Sequence, residues 1–145
     1  MADMAGRILA LDVGDVRIGV AVSDPTGTIA QPLEVYRRVG YGPDSRYVAA
    51  LCQRMDCESV LLGLPLKMDG STGRQAQKVM DFGAVREKAG LTVHYQDERL
   101  TTVTAEAVLI GSGVRREDRR RHVDKLAATV ILEQWLASQG RRKEE

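Results

Sequence analysis

Residues 7–24 read RILALDVGDVRIGVAVSD. The stretch holds two short apolar runs, Arg7–Val13 and Arg17–Asp24, joined by a tight connection containing Gly14. Runs of Val, Ile and Leu bounded by Gly and Asp have the pattern of a β-hairpin. A third extended segment, about Ile29 to Arg38, follows the Pro25–Gly27 turn and completes an antiparallel three-strand meander. Beyond it the period changes. Val48, Leu51, Cys52 and Met55 recur at helical spacing, which predicts an amphipathic helix over about 44–56. Ser59–Leu64 then reads as a short buried strand, and GLPLKMDGSTG (63–73) as a loop by its Gly, Pro and Asp-Gly content.

Ser71 or Thr72 is placed to cap the next helix, whose inward stripe is Ala76, Val79, Met80 and Gly83. Leu91–Gln96 is the fifth strand. A helix is expected from near Thr101, with Ala105, Val108 and Leu109 inward. The last helix follows a basic loop and buries Val123, Leu126, Ala127, Val130 and Ile131. The polar end, residues 139–145, is expected to fray. The order βββ-α-β-α-β-α-α predicts an α/β fold: a five-stranded mixed sheet, three antiparallel strands plus two parallel ones, with helices on both faces. The length, 145 residues, fits one domain spanning 1–145.

Formal net charge is +1, so any footprint for a polyanion must be local. One Trp and one Phe argue against a base-stacking single-strand binder. Cys52 and Cys57 lack CxxC spacing and a neighbouring His, so they are expected as reduced, packed thiols. A strand-like run begins by Arg7, leaving no room for a signal peptide. The longest apolar stretch, about Val60 to Leu66, is far short of the roughly 20 residues a membrane helix needs. These features predict a cytoplasmic protein with no membrane partner.

Three carboxylates fall at the edges of predicted elements: Asp12, Glu98 and Asp124. With the first strand central and parallel to the fourth and fifth, the C-terminal ends of those strands share one sheet edge, the usual place for a ligand. Acids gathered there would hold hard divalent cations, Mg²⁺ or Mn²⁺, and a pair of such ions suits phosphodiester cleavage. Asp12 and Glu98 start two strand spacings apart, about 9–10 Å. A long Glu side chain can reach inward, and Gly63, at the end of the intervening strand, leaves space for it. Asp97 competes with Glu98, because adjacent strand residues face opposite ways; reach favours Glu98, with Asp97 in support. Each acid also has a plainer reading: Asp12 as a turn residue, Asp124 as a complement to the helix dipole, Glu98 as a solvated partner of Arg99 or Lys125.

Basic residues flank the same edge. Arg17, Lys67, Arg74, Arg99 and Lys125 are candidates to position a nucleic-acid backbone. So are Arg119, Arg120 and Arg121 of VRREDRRRH (114–122), although such a run is equally a solvated loop. His94 reads as structural, His122 as a weaker candidate for proton transfer, and Trp135 as core.

Four segments, LDVGDVRIGVAVSD, LLGLPLKMDGSTGRQAQKV, YQDERLTTVTAE and HVDKLAATVILEQWL, resemble the YqgF (RuvX) family in that family's order and over nearly the whole chain. The resemblance implies a ribonuclease H-like fold related to RuvC-type resolvases. It implies a metal-dependent nuclease with Asp12, Glu98 and Asp124 as the acidic set and a nucleic-acid substrate. That substrate would be precursor rRNA, cut in maturing the 5′ end of the small-subunit rRNA, or else branched DNA. Val16 stands where the family's first motif commonly has Lys, leaving Arg17 as the cation there. Strand four ends Gly63-Leu64-Pro65 where ribonuclease H-like enzymes often carry an acid. Two other classes remain open: an actin-like phosphotransferase, which would need a second such domain, and a non-catalytic nucleic-acid-binding or ribosome-assembly module. Monomer and homodimer are both compatible, though symmetric junction cleavage would need a dimer.

Overall fold

The computed structural model describes residues 6–98 and 126–139. Strands β1 (Arg7–Val13), β2 (Arg17–Ser23) and β3 (Ala30–Arg37) form the expected meander. The Gly14 N–H donates to the Arg17 carbonyl at 2.8 Å and closes the first turn. In the second turn the Asp24 carboxylate accepts the N–H groups of Thr28 and Ile29, both at 2.8 Å. Helix α1 (Tyr41–Met55), strand β4 (Cys57–Leu64), helix α2 (Arg74–Lys88) and strand β5 (Thr92–Asp97) follow. A helix α3 is described over residues 126–139.

The sheet order is β3-β2-β1-β4-β5, with β1 antiparallel to β2 and parallel to β4, and β4 parallel to β5. Strand alternation divides the core in two. Leu9, Leu11, Ile18, Val20, Val60 and Leu62 face α1 and α2, meeting Val48, Leu51, Val79 and Phe82. Ile8, Ala10, Ala21 and Leu61 face the other way and are covered by Ala128, Ile131 and Leu132 of α3. Because the central strands β1, β2 and β4 are covered on both sides, they read as nearly continuous apolar runs.

Several element details differ from the sequence expectation. Helix α1 begins at Tyr41, three residues early, because Asp44 turns back to accept the N–H groups of Val39 (2.9 Å) and Gly40 (3.3 Å). Strand β4 takes in Cys57, and β5 is shifted one residue to Thr92–Asp97. Neither Ser71 nor Thr72 caps α2; the N-cap is Gly73, and Ser71 bonds Asp69 instead. The inward stripe of α2 is Ala76, Val79, Phe82, Gly83 and Arg86, with Met80 exposed. In α3, Ala128 and Leu132 are buried while Leu126 and Val130 are half-buried. Val123, the helix expected from Thr101, and the end from 140 onward lie outside the described residues.

Cys52 and Cys57 are buried and unbridged. Burial pushes their thiols up to about 11 and about 12, the mark of packed, inert sulfur. His94 lies against Trp135, ring centroids 4.7 Å apart, and both rings help pack α3 on the sheet. Among the described residues no helix is long and apolar enough to cross a membrane.

Candidate active site

Asp12 is the sixth residue of β1 and pairs with Gly19 of β2. It therefore shares a face with Ile8 and Ala10, the side covered by α3. On β4 the same face carries Leu61 and then Gly63, which is paired with Gln96 of β5. Two residues beyond Gln96, and so again on this face, is Glu98. Its N–H donates to the Leu64 carbonyl at 3.1 Å, which holds the backbone beside β4 past the end of β5. Asp12, Gly63 and Glu98 thus come from three adjacent strand ends and face one helix. Asp97, one residue earlier, belongs to the opposite face.

The separation between β1 and β5 is bridged by the glutamate side chain. A Cβ placed on Gly63 would sit 2.7 Å from Glu98 Oε2 and 2.5 Å from Ile131 Cδ1. The volume a side chain would fill is occupied by the Glu98 carboxyl, wedged between the sheet and α3. From there it hydrogen-bonds the Asp12 carboxyl. The Glu98 pKa is raised far above the ordinary carboxyl range. Burial is the largest cause, followed by the charge of Asp12, the hydrogen bond with Asp12, and the charge of Asp97. Ionisation of Glu98 is therefore disfavoured while Asp12 beside it carries its charge.

Two carboxyls in contact, able to ionise together only beside a compensating cation, are a donor set suited to a hard divalent ion. Oxygen is their only ligand atom, and the missing side chain of Gly63 leaves the room that the Glu98 carboxyl fills. Among the described residues no group of three or more His, Cys, Asp or Glu side chains forms a cation cage. Asp124 lies outside the described residues, as do Arg99, Arg119, Arg120, Arg121, His122 and Lys125.

The remaining described candidates lie around the same sheet edge. Arg17 alternates with Ile18, which faces α1 and α2, so it lies on the Asp12 face. Lys67 and Arg74 are exposed at the loop joining β4 to α2, beyond the same sheet edge. The Lys67 side chain runs along Gly73 at the start of α2. That helix start is held to the β1–β2 turn: Gln75 donates to Asp15 at 3.2 Å and Lys78 pairs with Asp15 at 3.3 Å.

One supporting device was not read from the sequence. Asp44, fully buried, accepts from Tyr36 Oη (3.0 Å) and Arg38 Nε (2.9 Å) besides the two backbone N–H groups. Arg38 in turn donates from Nη1 to the Gly14 carbonyl at 2.9 Å, two residues past Asp12. A chain of charge-assisted bonds therefore runs from the start of α1 to the turn behind the acidic pair. Its only signal in the sequence is an Asp in the first turn of a helix, which ordinarily marks no more than a dipole preference.

The fold is that of the ribonuclease H-like resolvases. Two solved structures resemble it, each with a TM-score of 0.59. One is Thermus thermophilus RuvC in complex with a Holliday junction substrate, 16% identical, with 93% of this chain and 96% of that one covered. The other is the yeast mitochondrial Holliday junction resolvase Ydc2, 13% identical, with 97% and 81% covered. The profile of the RuvX family, described as "Holliday junction resolvase", matches residues 6–138. A protein of Lactococcus lactis subsp. cremoris is 46% identical over 92% of this chain and 95% of its own length. One of Caldanaerobacter subterraneus subsp. tengcongensis is 45% identical over 92% and 97%. Both carry the name "Putative pre-16S rRNA nuclease". The chain belongs to the RuvX family and is a nuclease, a hydrolase of phosphodiester bonds.

Proposed function

We propose that the chain is a divalent-metal-dependent nuclease that trims the 5′ end of precursor 16S rRNA, with Asp12, Glu98 and Asp124 as its acidic set. The observation that carries this reading is the contact of Asp12 with Glu98 across Gly63, two half-buried carboxyls brought together at one sheet edge. The names of the similar proteins supply the substrate.

In this reading Asp12 and Glu98 hold Mg²⁺ or Mn²⁺, two ions when Asp124 completes the set. The ion supplies water activation and offsets charge on the attacking and leaving oxygens. Glu98 would bind the ion as its carboxylate. Gly63 fixes where its carboxylate lies, and Ile131 keeps solvent from one side. Lys67, Arg74 and Arg17 position the phosphate backbone, together with Arg99, Lys125 and Arg119–Arg121. Asp97, on the other face, contributes its charge.

The description of the family profile favours a second substrate, the four-way DNA junction. One experiment separates the two: incubate the protein and its Asp12→Asn variant with precursor rRNA and with four-way junctions, with and without Mg²⁺ or Mn²⁺, and map the cut ends. The expected result is metal-dependent cleavage near the mature 5′ end of the RNA that Asp12→Asn abolishes without loss of thermal stability. Full activity in Asp12→Asn would remove the acidic pair from the mechanism. Cleavage of the junction alone would give the site to DNA, and tight salt-sensitive RNA binding without cleavage would make the chain a binding module.

A further inference from the structure

The register of β2 on β3 places two arginines directly opposite one another: Arg17 pairs with Arg37. Directly opposed residues project on the same side of a sheet, and like charges in that position destabilise it. The side is set by their neighbours. Ile18 and Tyr36, the next pair, face α1, where Tyr36 stacks on Tyr47 with ring centroids 3.8 Å apart. Arg17 and Arg37 therefore face the opposite way, with Asp12.

The spacing suits a polyanion. Asp12 is level with Gly19, and Arg17 lies two residues before Gly19 in β2, so its Cα is about 8 Å from that of Asp12 once the strand spacing is included. That is comparable to the step between successive phosphates of one nucleic-acid strand. Arg37 is exposed and makes no hydrogen bond or ion pair with a described residue. It lies on the edge strand, one strand spacing beyond Arg17.

We propose that Arg37, together with Arg17, forms a phosphate-binding subsite that holds the substrate backbone on the β3 side of the acidic pair. This rests on the nuclease reading of Asp12 and Glu98. It sets the path of the strand: from β5 across β1 and out over the edge strand, along the face that α3 shares. Lys67 and Arg74 mark the other exit from the same edge. Charges on edge strands also prevent edge-to-edge pairing, but that purpose does not require two arginines facing each other beside a catalytic carboxylate.

The test uses the full chain carrying Asp12→Asn, so that binding is read without cleavage. Its affinity for a labelled single-stranded RNA and for a labelled four-way DNA junction is measured across a salt series. Adding Arg37→Gln should weaken binding about three- to tenfold and flatten the log K against log salt slope by about 0.7 on the single strand, the loss of one phosphate contact. Arg37→Lys, which keeps the charge, should keep the slope. Arg54→Gln removes the same charge at the far end of α1 and should leave the slope alone. The thermal midpoint of Arg37→Gln without nucleic acid should be unchanged. An unchanged slope in Arg37→Gln, or an equal loss in Arg54→Gln, overturns the subsite. The parent reading fails separately, if Asp12→Asn in the otherwise wild-type chain still cleaves.

Discussion

At Gly63 the absence of a side chain is what lets the Glu98 carboxyl reach Asp12. The space beside its Cα is filled by Glu98 Oε2 and Ile131 Cδ1, both of which a Cβ would meet at under 3.0 Å. Gly63→Ala forces both to move. Each is the free end of a flexible side chain, so overpacking should cost only about 1–3 kcal/mol of stability. Cleavage should fall far more steeply, because the displaced carboxyl is the one that reaches Asp12. Denaturant titration beside turnover measurements separates the two effects, and a parallel loss of both would argue against the site. Glu98 gives a second handle, through pH. Its folded pKa, about 9, stands above the ordinary 4.5, so between those values the folded state binds more protons than the unfolded one. The Glu98 contribution to the stability of the metal-free protein should therefore be fully present below the ordinary value and decline as pH rises towards about 9. Glu98→Gln should flatten that decline in thermal melts taken across the range. Addition of Mg²⁺ near pH 7 should release a proton, detectable by calorimetry in buffers of different ionisation enthalpy.

The elements are tied to the site through Asp44. Burial alone would raise its pKa, but bonds from the Val39 N–H, Arg38, the Gly40 N–H and Tyr36 outweigh burial and hold it below the ordinary value. Asp44→Asn removes the charge from a buried node and leaves Arg38 without its partner. Breaking such a pair costs about 3–5 kcal/mol, read as a lower denaturant midpoint with an unchanged slope. Because Arg38 also holds the Gly14 carbonyl, the loss should loosen the turn behind Asp12. Turnover at saturating substrate should fall even where the variant stays folded. The wild-type contribution is lost on acidification, as pH drops through the depressed Asp44 value, a direction opposite to that of Glu98. Element types were legible because each has its own hydrophobic period: two in the meander, near 3.6 in α1 and α2. Element ends were less so. Side chains decide them through contacts the period does not carry, as when Asp44 starts α1 early and Ser71 turns to Asp69 rather than capping α2.

Over the whole molecule, β1 and β4 are sealed between helices on both sides, and the two thiols lie within the layer under α1. Cys52 and Cys57 should therefore react with a thiol reagent only on unfolding. Their labelling rate should follow global stability through a denaturant series, and reductant should not change the melting temperature. By itself, the order of apolar runs determined the meander, the parallel strands and the edge where the acids fall, because alternation and topology are local or nearly local properties. It also supplied the motifs that carry the family resemblance, and the reach of a glutamate over a glycine. The tertiary structure decided which carboxylates share a face. Asp12, Gly63 and Glu98 are separated by dozens of residues, and only strand register aligns them, leaving Asp97 on the wrong side. Register likewise sets Arg37 opposite Arg17. A shift of one residue in any of these strands would turn its side chains to the other face, so the site is a property of the pairing and not of any one segment.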